Sequence, residues 1–97
     1  MPANGARGEI IASLGGADRT LCLTLGALAE METALGCDGL ASLAERMRNL
    51  SARDLSMVLA ALLRGGGEQG LADGLAAGAV DPREAAEAVA KAFAAAA

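Results

Sequence analysis

Histidine, tryptophan and tyrosine are missing from this 97-residue chain, and Phe93 is its only aromatic residue. Without histidine the commonest general base and metal-ligating imidazole are unavailable. Without aromatic rings there is no platform on which nucleic-acid bases could stack. Positive charge is also scarce: eight Lys and Arg face twelve Asp and Glu, a net charge of −4 that repels a phosphate backbone unless the basic residues gather on one face. Arg46 and Arg48 are the closest basic pair and are flanked by Glu45, while Arg53, Arg64 and Arg83 lie singly, as on solvated helix faces. No nucleic-acid partner is expected. Long apolar runs are absent too. The most apolar stretch, Leu55 to Leu63, falls far short of the ~20 residues that cross a bilayer and is interrupted by Ser56. The start, Met1-Pro2-Ala3-Asn4-Gly5, has no basic stretch followed by an apolar one, so neither a secretory signal nor a membrane span is expected and the localisation read from the sequence is cytoplasmic. Cys22 and Cys37 match no common metal spacing and, in a reducing compartment, read as small buried hydrophobes.

What is present is a pattern of caps and apolar stripes that implies one domain over residues 1–97. Residues 8–24 read as a β-hairpin: Ile10, Ala12 and Leu14 alternate with Glu9, Ile11 and Ser13, Gly15-Gly16-Ala17-Asp18 supplies the turn, and Arg19 to Thr24 returns with Leu21 and Leu23 on one face. Such a hairpin needs helices on its apolar face. Three core helices over 25–64 meet that need. Thr24 caps the first, Leu25 to Leu35, whose apolar positions are Leu25, Leu28, Met31 and Leu35 and which Gly36 ends. Asp38 is placed to cap the second, where Leu40, Leu43, Ala44 and Met47 oppose Glu45, Arg46 and Arg48 up to about Asn49. Ser51 and Asp54 have capping-box spacing, Leu50 can staple against Leu55, and Leu55, Val58, Leu59, Leu62 and Leu63 form the widest stripe in the chain. That third helix is the expected hub, stopped by Gly65-Gly66-Gly67.

Residues 65–80 form a Gly/Ala-rich connection with one short helix opposed by Gly70, Gly74 and Gly78. Asp81, Pro82 and Glu84 then signal a C-terminal helix over 81–95 with Ala86, Val89, Ala90 and Phe93 on its apolar face, the phenylalanine as main anchor. The expected fold class is α+β, mostly α: an N-terminal hairpin packed on four to five helices.

No catalytic constellation can be assembled from these residues, and neither a cofactor nor a metal is expected. Gly65-Gly66-Gly67 lacks the Lys-Ser/Thr ending of a phosphate loop and follows a helix where a P-loop follows a strand. Glu30 and Glu32, two apart on a helix, point in different directions, and solvation of the helix surface accounts for them. The chain is therefore read as no enzyme. A domain of this length buries only about 60–65% of its unfolded surface, and an Ala-rich core gains little at ~25 cal/mol per Å². Burying more apolar surface against a partner, or by self-association, would offset that.

The run LTLGALAEMETALG, Leu23 to Gly36, resembles the core motif of the gene transfer agent tail family. Leu40 to Met47, reading LASLAERM, and Leu50 to Gly67, reading LSARDLSMVLAALLRGGG, agree with it, and with the hairpin the resemblance spans residues 7–67. Met31 stands where a leucine is expected, and the chain after Gly67 agrees only in its Ala-rich last helix. The motif residues, structural or partner-binding, are Leu23, Thr24, Gly26, Ala27, Leu28, Glu30, Glu32, Ser51, Asp54 and Leu55. Gene transfer agents are phage-like particles that package host DNA, and the family groups with siphophage tail assembly chaperones. The resemblance implies a protein that holds the tape-measure protein, the major tail-tube protein or both during tail assembly. The alternative it implies is a structural component of the tail.

Overall fold

The computed structural model describes residues 8–75 and 80–96. In chain order it contains β1 (Glu9–Leu14), β2 (Ala17–Cys22), α1 (Leu25–Leu35), α2 (Leu40–Met47), α3 (Ala52–Gly65), α4 (Gln69–Asp73) and α5 (Pro82–Ala96). This is the expected α+β architecture, a two-stranded antiparallel hairpin on a helical bundle. The Met1-Pro2-Ala3-Asn4-Gly5 start and Gly78 lie outside the described residues.

The hairpin turn is tighter than its composition suggested. Gly15 and Gly16 both have positive φ, 64° and 84°, so two residues suffice to reverse the chain. Ala17 and Asp18 consequently pair with Leu14 and Ser13 inside the ladder, and β2 ends at Cys22. Leu23 and Thr24 therefore leave the strand. Thr24 becomes the cap of α1, its hydroxyl oxygen accepting from the Ala27 N–H at 3.0 Å. At the other end of α1, Gly36 turns left-handed at φ 68° and the Cys37 N–H reaches Glu32 O at 2.9 Å.

Helix α3 is the hub: it packs against α1, α4, α5 and β2. Val58, Leu59, Ala61, Leu62 and Leu63 are all buried along it, with Leu55 half-buried at the stripe's edge. Leu14, Leu21 and Met31 complete the largest fully buried side chains from the hairpin and α1. Helix α5 packs on β1 and on α3, but it is rotated from the expected face. Ala85, Ala88, Val89 and Ala92 are buried, whereas Ala86 and Ala90 are exposed and Phe93 is half-buried. Small side chains let this helix approach closely, so alanines and Val89 do the anchoring assigned to the phenylalanine.

Two further expectations change. Leu25 is 83% and Leu40 63% exposed, so α1 buries Ala27, Met31 and Leu35, and α2 buries Leu43 alone. Helix α2 begins at Gly39, whose φ of 97° serves as its entry, and no side chain caps it; Asp38 does not. Cys22 is buried as expected, while Cys37 is only half-buried. Among its described residues the Gly/Ala-rich connection carries the short helix α4, and Leu71, Leu75 and Val80 are half-buried against the core.

Candidate functional site

The charged side chains that matter sit at the two ends of α3, about 15 Å apart for a ten-residue separation. At the N-terminal end the capping box forms in full. Ser51 Oγ accepts from the Asp54 N–H at 3.1 Å and Asp54 Oδ2 accepts from the Ser51 N–H at 3.4 Å. Asp54, only 7% exposed, also receives a two-pronged pair from Arg46 of α2: Nε to Oδ2 at 2.9 Å and Nη2 to Oδ1 at 3.1 Å. The third guanidinium bond, Nη1 to Leu35 O at 3.0 Å, satisfies a carbonyl at the end of α1. Arg46 is thus a tie between three helices, where its position opposite an apolar stripe suggested a solvated charge. Its hydrogen bond and charge hold the Asp54 carboxyl below the ordinary range, with help from the Ser51 N–H and against burial.

At the C-terminal end Arg64 bonds Glu30 of α1 and Asp73 of α4, the latter at 3.1 Å. Glu30 therefore has a tertiary partner, and Glu32 closes the α1–α2 link by accepting from the Gly39 N–H at 2.9 Å. Solvation alone does not describe either. Beside the Arg64 network an open groove of 280 Å³ runs between α1, α3 and α4, with Ala34, Met57, Ala60 and Leu75 in its walls. The groove is partly apolar and bounded by a charged rim with two carboxylates and one guanidinium.

The triple glycine has a role that its position as a helix stop did not suggest. A Cβ on Gly65 would lie 2.2 Å from Cys22 O, and one on Gly66 would lie 2.1 Å from Thr20 O. The end of α3 lies directly on the outer edge of β2, and only glycine permits that approach. Gly67 then turns left-handed at φ 85°, which carries the Glu68 carboxylate back to the Thr20 N–H at 2.9 Å. Arg19 adds an ion pair to the same carboxylate at 3.7 Å. On β1, Ile11 O accepts from Lys91 Nζ at 2.9 Å.

The motif residues thus divide. Thr24, Ala27 and Glu30 belong to the start of α1 and its bond to Arg64, with Leu23 and Leu28 half-buried beside the core. Gly26 meets only the Thr24 hydroxyl, so space does not require a glycine there. Ser51 and Asp54 form the other cluster, next to half-buried Leu55. The partners that complete the two clusters, Arg46, Arg64 and Asp73, carry no cap or stripe signal: Arg46 reaches Asp54 of another helix, and Arg64 joins Glu30, 34 residues away, to Asp73, so the fold makes these pairings. Nor does the glycine run, which reads as a helix stop, signal the close approach of α3 to β2.

Among the described residues no group of three or more Cys, Asp or Glu is placed to hold a metal ion, and no helix is long and apolar enough to cross a membrane. No curated protein and no solved structure matches the chain. A family model described as phage tail tube protein, GTA-gp10, matches residues 7–97, which extends the similarity through α5, beyond the Gly67 limit of the motif resemblance. With nearly its whole length inside that match, the chain belongs to the GTA-gp10 phage tail tube protein family, a family of phage-like tail components.

Proposed function

We propose that this tail component is a non-catalytic assembly chaperone that binds the tape-measure protein, the major tail-tube protein or both while the tail is built. The groove between α1, α3 and α4 carries this reading. Its walls combine Met57, whose flexible thioether adapts to different partners, with small alanines that admit an apolar side chain. Its rim includes Glu30, a residue of the shared motif, oriented by Arg64. A partner helix laid there would extend the burial that a Leu/Ala core supplies sparingly. Working in the cytoplasm suits a protein that meets its partners before the particle is complete.

Co-expression with the tape-measure and tail-tube proteins tests this. A complex that survives purification is expected, and Met57→Glu should abolish it without unfolding the chain; absence of any complex overturns the reading. The family description favours a second reading, a structural place in the finished tail. Mass spectrometry of purified particles separates the two, since a chaperone is absent from them and a structural subunit is present in stoichiometric amount.

A further inference from the structure

Helix α2 is held to the molecule at few points. Its only buried residue is Leu43, and it packs principally on α1. An eight-residue helix does not persist in water on its own propensity, so its attachments must hold it. The strongest is the Arg46 side chain, whose three bonds of 2.9, 3.0 and 3.1 Å reach α3 and the end of α1. The chain enters α2 through Gly36 and Gly39, at φ 68° and 97°, conformations that glycine adopts and leaves without strain, and opening must also break the exposed bond from the Gly39 N–H to the Glu32 carboxylate.

We propose that α2 is a hinged strap that opens as a unit from an otherwise folded molecule, with Arg46 as its latch and Gly36 and Gly39 as its hinge. Opening leaves the start of α3 intact, because the Ser51–Asp54 capping box lies on α3's side of the latch. It withdraws Leu43 from the core and exposes Met47. The strap is a property of the protein alone and needs no partner to operate.

Native-state hydrogen exchange of the full chain, followed as a function of urea, tests the inference. In the unsubstituted protein the α2 amides should exchange faster than those of Leu59 to Leu63 and with much weaker urea dependence, the mark of a local opening. In Arg46→Gln the α2 amides should exchange about 10- to 100-fold faster, the range for losing hydrogen bonds to a charged group, while those of α3 change far less. If α2 shares the exchange rate and urea dependence of α3, or if Arg46→Gln shifts both helices by one factor or unfolds the chain, α2 is part of the cooperative core and the inference is wrong.

Discussion

Helices α2 and α3 are both amphipathic in sequence, yet α3 buries six of its 14 residues and α2 one of its eight. The difference lies in what surrounds them. Helix α3 has a neighbour on several sides, so every position of its stripe finds a partner, and its C-terminal glycines add backbone contact with β2. Helix α2 has α1 on one side, so Leu40 is left in water despite its place in the stripe. An apolar stripe states what a helix could bury; the number of neighbours decides what it does bury.

Substitutions at matched places should expose this asymmetry. Leu59→Ala in the centre of α3 should cost about 4 kcal/mol in urea unfolding, within the ~2–5 kcal/mol range for leucine truncation in a core that cannot collapse. A shift near zero would mean that α3 is not the hub. Gly66→Ala should cost about 3 kcal/mol, the upper end for overpacking, because the added carbon meets a carbonyl at 2.1 Å and neither backbone can step aside. Leu43→Ala, the same change as the first but in α2, should cost about 2 kcal/mol, because a lightly held helix can settle into the space. An effect as large as that of Leu59→Ala would erase the distinction between the helices. Ser51→Ala should cost about 1 kcal/mol, the usual loss for a helix N-cap, read as a lower melting temperature.

The smallest effect is with pH. Because the Arg46 pair depresses the Asp54 pKa in the folded protein, its stabilisation is complete above the unfolded-state value of about 4 and declines as pH falls below it through the folded value. Comparing urea midpoints of the wild type and Asp54→Asn from pH 7 to pH 3 isolates that contribution. The two curves should converge on acidification, and a constant gap would show that the fold does not hold the Asp54 pKa down.

Local chemistry made much of the fold legible. Thr24, Ser51 and Asp81 mark helix starts because a cap satisfies backbone groups only two or three residues away, and all three accept from such a group: Ala27, Asp54 and Arg83 respectively. Asp38 carries the same side chain as Asp81 but lies one residue before the cap position, which Gly39 occupies at φ 97°, so it does not cap α2. The α5 face was misplaced by about one position, since a nearly uniform alanine helix has little periodicity to read. The two charged clusters were half legible: Glu30, Ser51 and Asp54 were marked, but Arg46 acquires its meaning from the packing of neighbouring helices and Arg64 from α1, 34 residues away, and neither pairing follows from local periodicity.

One bond joins nearly opposite ends of the sequence. Lys91 of α5 reaches Ile11 O on β1, 80 residues away, and α5 is the helix that packs on that strand. During translation at ~5–20 residues per second, β1 therefore waits several seconds or more before the segment that covers it has been made. Throughout that interval Ile10 and Leu14 lack their final neighbour, so the apolar face of the nascent hairpin stays open to other chains until α5 is made.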